Sequence, residues 1–227
     1  MPGYYKAKLS GERLRRCYEI ASPRVKQYLE AEIQFVLRHL RRNDVVLELG
    51  CGYGRVAFRL ADVARYVIGI DTAKESLMVA RQISNNGAQC EFVEMDALSL
   101  AFNRSSFDKV VCIQNGICVF GVDRKRLLSE ALWVTRPGGA VLFSTYSELF
   151  WDDRLQWFEA QAAAGLVGPI DYTQTRNGEI VCTDGFRAGA VTAEVFRSLG
   201  TELGVDPVIT EVDQSSLFCR ITVPEIA

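Results

Sequence analysis

A chain of 227 residues, 48% hydrophobic and 24% charged, holds enough apolar mass for a substantial core and is most naturally one domain, 1–227; its composition excludes disorder. No apolar run is long enough to cross a bilayer, so no membrane role is expected, and Met1-Pro2-Gly3-Tyr4-Tyr5-Lys6 lacks a signal peptide's apolar stretch, which predicts a cytoplasmic protein. The net charge of −2 is uneven: residues 1–42 hold ten Lys or Arg against four Glu.

That basic segment reads first as solvated helix faces, and second as an entry face for an acidic substrate or RNA; it carries no nucleic-acid motif, so a nucleic-acid partner is not expected. From Leu9 the apolar positions Leu14, Cys17, Tyr18 and Ala21 recur at helical spacing up to Ser22-Pro23. Ser22 can cap a second helix with Pro23 in its first turn, whose stripe runs Val25, Tyr28, Leu29, Ile33, Val36, Leu37, Leu40. Two helices are therefore predicted as an N-terminal cap, 1–43.

A core over 44–150 alternates strand candidates at 45–49, 66–70, 90–94, 107–113 and 139–145 with helical patterns at 54–64, 73–86 and 123–135, the last stopped by Arg136-Pro137-Gly138-Gly139. Val/Ile-rich strands separated by helices predict a parallel sheet covered on both faces, with ligands beyond the strands' carboxyl ends. An aromatic helix follows at 150–164. Within an insertion, 165–188, Tyr172-Thr173-Gln174-Thr175, Asn177-Gly178 and Ile180-Val181-Cys182-Thr183 read as a hairpin on a type I′ turn. A helix at 192–203 and two antiparallel strands, 207–212 and 216–223, close the chain over 189–227. The seven cysteines are scattered without a C-x-x-C pair, so neither a disulfide framework nor a metal site is expected.

The chemistry centres on Glu48-Leu49-Gly50-Cys51-Gly52-Tyr53-Gly54, a glycine turn between strand and helix. No G-x-x-x-x-G-K-[ST] is present, which excludes a P-loop. Counting G-x-G-x-x-G from Gly50 puts Arg55 at the third glycine, which allows close helix–strand packing in dinucleotide folds; this disfavours an NAD-dependent oxidoreductase. Asp71 closes the second strand, where a carboxylate can accept both ribose hydroxyl protons, and Asp96 follows the third.

The E-x-G-x-G-x-G pattern, with these two aspartates, resembles the class I S-adenosylmethionine-dependent methyltransferases over about Val45 to Val141. The resemblance implies an α/β, Rossmann-like, mostly parallel seven-stranded sheet with helices on both faces, an antiparallel C-terminal strand, an N-terminal helical cap and a small β-hairpin insertion. It implies S-adenosyl-L-methionine as cofactor, S-adenosyl-L-homocysteine as product, and methyl transfer to a small-molecule acceptor by in-line displacement. Gly50, Cys51, Gly52 and Gly54 would form the cofactor loop, and Glu48 would orient it and the methionyl ammonium. Asp71, followed by Thr72, would accept the ribose hydroxyls; Asp96 and the Ala97 N–H would meet the adenine.

Phe107 to Gly116 resembles the fourth-strand motif, with Gln114 at the cofactor and Asn115 as a catalytic candidate; Gln114-Asn115-Gly116-Ile117 departs from the D/N-P-P-Y/F of many base and amino methylating relatives. Tyr5 is carried over as an N-terminal tyrosine lying over the cofactor. Tyr4, Tyr18, Tyr146 and Tyr172 are further pocket candidates, and His39, the sole histidine, has a helix-terminal role as its natural reading. A non-catalytic cofactor-binding regulatory protein and an RNA or protein acceptor remain alternatives. Nothing in the sequence specifies the acceptor or an oligomeric state.

Overall fold

The computed structural model describes residues 3–84, 89–119 and 123–225. The N-terminal part holds three helices rather than two: α1 (Tyr4–Lys8), α2 (Gly11–Glu19) and α3 (Pro23–Leu37). Ser22 caps α3 as its sequence suggests, its hydroxyl accepting from the Val25 N–H at 3.2 Å with Pro23 in the first turn.

Strand and helix then alternate through β1 (Val45–Leu49), α4 (Arg55–Ala61), β2 (Tyr66–Asp71), α5 (Lys74–Ile83) and β3 (Cys90–Glu94). They continue through β4 (Phe107–Cys112), α6 (Gly116–Val119), α7 (Arg124–Val134), β5 (Thr135–Tyr146) and α8 (Trp151–Ala163). Two short strands, β6 (Ile180–Val181) and β7 (Arg187–Ala188), precede α9 (Ala193–Leu203), β8 (Val208–Val212) and β9 (Ser216–Thr222). Residues 85 and 86 of the expected 73–86 helix lie outside the described residues.

Seven strands form one sheet in the order β3-β2-β1-β4-β5-β9-β8, parallel except for β9, which runs antiparallel to both its neighbours. This is the predicted fold class. One face of the sheet buries Leu47, Val110, Val141 and Ile221 against α7 and α9; the other buries Val46, Val67, Val111 and Leu142 against α3 and α4. Strand order reverses at β1, which has β2 on one side and β4 on the other. A crevice opens beyond the carboxyl ends of strands at such a point.

Two local readings are corrected. The Arg136-Pro137-Gly138-Gly139 stretch does not precede β5 but lies inside it: α7 runs directly into Thr135, and the β4–β5 register shifts between Phe107 and Lys109 to absorb the irregular residues. The Asn177-Gly178 turn forms, with φ of 53° and 76° and Arg176 and Glu179 exchanging both backbone hydrogen bonds at 3.0 Å. Its expected strand 172–175 does not form. The Asp171 carboxylate accepts from the Thr173 N–H at 3.0 Å and the Gln174 amide at 2.6 Å, curling this stretch into a local turn, and β6 pairs with β7 instead.

Candidate active site

At the end of β1 the chain makes three left-handed steps, at Gly50, Gly52 and Gly54, with φ of 73°, 54° and 83°. The N–H groups of Gly50 and Cys51 both donate to the Ile70 carbonyl, at 2.8 and 2.9 Å, folding the loop over the end of β2. Asp71 fixes it from below: one carboxylate oxygen accepts from the Gly52 N–H and the other from the Ala73 N–H, each at 2.8 Å. Gly54 serves packing, because a Cβ there would lie 2.7 Å from the Phe92 ring. The close helix–strand approach that a dinucleotide fold takes from its third glycine is supplied here one position earlier.

The loop borders a cavity of about 490 Å³. Among the expected residues, Glu48, Gly50, Cys51, Gly52, Asp71, Thr72, Asp96, Gln114 and Tyr5 line it. Gly54, Ala97 and Asn115 do not. Ala97 is buried in the core, and Asp96 spends one oxygen on the Leu98 N–H at 2.9 Å, so it serves its own turn while facing the cavity. The Asn115 side chain is occupied: its amide donates to the Gly189 carbonyl and its oxygen accepts from the Thr145 hydroxyl, both at 2.9 Å. It holds the loop after β4 against the segment before α9 rather than facing a ligand.

That loop is strained, since Gln114 and Asn115 are consecutive non-glycine residues with φ of 57° and 65°. It is held there by Glu32, a fully buried carboxylate on α3 that accepts from the Gln114 N–H and the Ser216 hydroxyl, both at 2.6 Å. Burial raises the Glu32 pKa to about 7, against the pull of these hydrogen bonds. Sequence reading missed Glu32 because a glutamate on an amphipathic helix looks solvated.

Glu48 is 4% exposed and one of its oxygens has no partner. Burial pushes its pKa up to about 8, with Asp71 adding to the rise and Arg55 opposing it. Arg55, which entered the sequence reading only as an absent glycine, lines the cavity. Its guanidinium lies 4.4 Å over the Tyr18 ring and donates to the Gln114 side chain, while its Nε–H is buried without a partner. Its position at the start of α4, directly after the glycine loop, was the available signal.

His39 lies elsewhere, at the end of α3, with Nδ1 2.8 Å from the Phe35 carbonyl. Tyr172 is exposed and donates to Glu159. Much of the basic segment is engaged within the chain: Arg15 and Arg16 with Glu19, Arg24 with Asp213, and Arg13 with the carbonyls of Gly165 and Leu166. Among the described residues no cluster of His, Cys, Asp or Glu could hold a metal ion, and no helix is long and apolar enough to cross a membrane.

Comparison with known proteins bears on the family and the fold. Residues 46–139 match the model of a family described as a methyltransferase domain. The chain is 34% identical over 115 residues to malonyl-[acyl-carrier protein] O-methyltransferase of Erwinia pyrifoliae, covering 50% of this chain and 42% of that one. It is 32% identical over 102 residues to ubiquinone biosynthesis O-methyltransferase of Idiomarina loihiensis, covering 44% and 41%. The chain thus spans less than half the length of these relatives. The PH0226 protein of Pyrococcus horikoshii shares the fold at a TM-score of 0.68, 20% identity and coverage of 98% of this chain and 99% of that one. Magnesium protoporphyrin IX methyltransferase of Synechocystis, solved with S-adenosylhomocysteine bound, shares it at 0.66 and 16% identity over 97% and 96%. Residues 46–139 thus resemble a methyltransferase domain, and the chain as a whole shares the fold of solved methyltransferases.

Proposed function

We propose that the protein transfers a methyl group from S-adenosylmethionine to a small-molecule acceptor by in-line displacement. The observation that carries this reading is the cavity at the β1 switch point, where the glycine loop, Asp71, Asp96 and the unpartnered oxygen of Glu48 converge. The residues fit the cofactor's groups. Glu48 would take the methionyl ammonium, giving its buried carboxylate the cation it lacks. Arg55, opposite in charge and on the same wall, would take the methionyl carboxylate. Asp71 keeps lone pairs for the ribose hydroxyls beyond the two backbone bonds it already accepts, and Asp96 and the Leu98 side would border the adenine.

The cofactor supplies a methyl group made electrophilic by its sulfonium; the protein's part is to bind, orient and exclude water. Tyr5 and Tyr18 cover the cavity from the N-terminal helices, and Glu32 keeps the strained Gln114–Asn115 turn in its one conformation. An RNA acceptor receives little support, because four of the seven arginines of the basic segment, Arg13, Arg15, Arg16 and Arg24, are engaged with partners inside the chain. The unpaired cysteines fit a cytoplasmic location.

Calorimetric titration with S-adenosylhomocysteine, with NADH as control, tests the reading: the former binds and the latter does not. Absence of binding to the former overturns it. Asp71→Ala should weaken that binding about tenfold or more, since it removes the ribose acceptor and frees the Gly52 N–H together.

A further inference from the structure

Behind Tyr5 and Tyr18, away from the glycine loop, the structure gathers phenols and a second guanidinium. Tyr18 packs against a buried cluster containing Tyr28, Tyr146 and Trp157. The rings of Tyr28 and Tyr146 lie 5.5 Å apart, and Arg154 of α8 places its guanidinium 4.2 Å over the Tyr146 ring. Arg154 is 2% exposed, and among the described residues no carboxylate pairs with it. Its terminal nitrogens donate to the carbonyls of Gly178, Ala188 and Gly189, but its Nε–H has no partner.

Buried polar atoms without partners are rare, and five of the six among the described residues belong either to the cavity wall or to the cluster behind it. They are the Tyr28 hydroxyl, the Nε–H of Arg154, the Nε–H of Arg55, the Gln114 amide nitrogen and one oxygen of Glu48; only Asp108 Oδ1 lies elsewhere. Four of the five can donate a hydrogen bond. The one pure acceptor, Glu48, is accounted for by the methionyl ammonium of the proposed function, on which this inference rests. With Arg55 given to the methionyl carboxylate, the Nε–H of Arg154 and the Tyr28 hydroxyl remain as spare donors, buried behind the wall of the cavity that Tyr5 and Tyr18 form, and donors of this kind suit a ligand rich in acceptors and negative charge. Among the described residues this region also lacks a free base. His39 sits at the far end of α3, Glu32 is spent on Gln114 and Ser216, and burial raises the pKa of Tyr5, Tyr28 and Tyr146, so they remain protonated donors.

We propose that the acceptor is a small oxyanion, a carboxylate or a phosphonate, held by Arg154 and the hydroxyls of Tyr5, Tyr28 and Tyr146, and methylated directly on one of its oxygens. An oxygen lone pair forms the new O–CH3 bond while the S–CH3 bond breaks with its electron pair going to sulfur. One negative charge of the acceptor cancels that of the sulfonium: a carboxylate becomes a neutral ester and a phosphonate dianion a singly charged one, beside a neutral thioether. No proton is released, so no base is required.

The test uses the full chain saturated with S-adenosylhomocysteine, whose binding is established first: if it does not bind, the proposed function fails, and if it binds, the acceptor is tested alone. Aliphatic and aromatic carboxylates and phosphonates are titrated by calorimetry beside their matched amides and amines. At least one anion should bind about tenfold or more tightly than its uncharged amide, the scale of a charge-assisted hydrogen-bond pair. If no anion is preferred over its amide or amine, the proposal is overturned. Arg154→Met should erase the preference, but Arg154 also braces three carbonyls and its loss can unfold the insertion. Tyr28→Phe is therefore the second variant. Deleting an orphaned buried hydroxyl should raise the melting temperature, by about 2–4 °C for a chain of this size, while weakening the anion. Higher stability with unchanged anion affinity would count against the assignment. In turnover on a carboxylate with labelled methyl donor, an indicator dye should register no acid; release of a proton per methyl transferred would mean an amine, phenol or thiol acceptor.

Discussion

With one carboxylate oxygen unpartnered and burial holding its pKa at about 8, Glu48 is largely neutral at pH 7 until a cation arrives beside it. An ammonium requires the ionised form, so S-adenosylhomocysteine affinity should rise between about pH 6 and 8, with proton release visible as a buffer-dependent binding enthalpy; Glu48→Gln should remove both effects. The apoprotein moves oppositely. A carboxyl whose folded pKa exceeds its unfolded value contributes stability that is complete below the unfolded value and is lost as pH rises through the folded one. Glu48→Gln should therefore gain on the wild type in melting temperature from about pH 5 to above 8. At this scale the sequence was legible where a residue's place in the chain fixed its surroundings: Glu48, Asp71 and Asp96 stand at strand ends, and all three face the cavity. It was illegible where a side chain has a choice of partners. Asn115 sits in a loop at the cavity's edge, yet its amide turns to Gly189 and Thr145.

Among the elements, the glycine loop and the start of β5 rely on glycine for different reasons. A Cβ at Gly54 would meet the ring ends of Phe92 and Phe58 at 2.7 and 2.9 Å on a backbone with φ of 83°. A Cβ at Gly139 would meet backbone, the carbonyl oxygens of Asp108 and Arg136 at 2.7 and 2.8 Å. Rings can shift and paired strands cannot. Gly54→Ala should cost about 1–3 kcal/mol by denaturant unfolding, and Gly139→Ala more, because the β4–β5 pairing itself must part. The strands were readable as Val/Ile runs because burial on both faces leaves no other pattern. The start of β5 was not, since Pro137-Gly138-Gly139 signals a break and the sheet absorbs it with a shifted register. The hairpin was misread for a similar reason: strand propensity at Tyr172 to Thr175 lost to the Asp171 carboxylate, which satisfies the same backbone locally.

Across the whole molecule, the N-terminal helices and the insertion form one cover. Leu9 and Cys17 share a buried cluster with Phe158, Leu166, Ile180 and Phe186, and the Tyr4 hydroxyl and Lys8 both reach Asp184. On the opposite side the Gly11 N–H donates to the Ser76 hydroxyl at 2.9 Å, tying α2 to α5. Asp184→Ala should raise amide exchange over 4–20 and weaken S-adenosylhomocysteine binding, while leaving exchange in β1, β4 and β5 unchanged. The seven-stranded sheet follows from alternation that any reader of the chain can see. The cluster of Tyr28, Tyr146 and Arg154 does not, because they belong to separate elements, and periodicity assigns a side chain to a face without naming what it meets.

The tie between Tyr4 and Asp184 spans 180 positions of sequence. During synthesis the first helix leaves the ribosome long before its docking site exists, and the parallel core from β1 to β5 can assemble meanwhile. Closing so long a loop costs entropy that only a nearly finished fold can offset, so α1 should be last to dock and first to leave. The cover over the cavity should therefore close only after Asp184 has joined the growing chain.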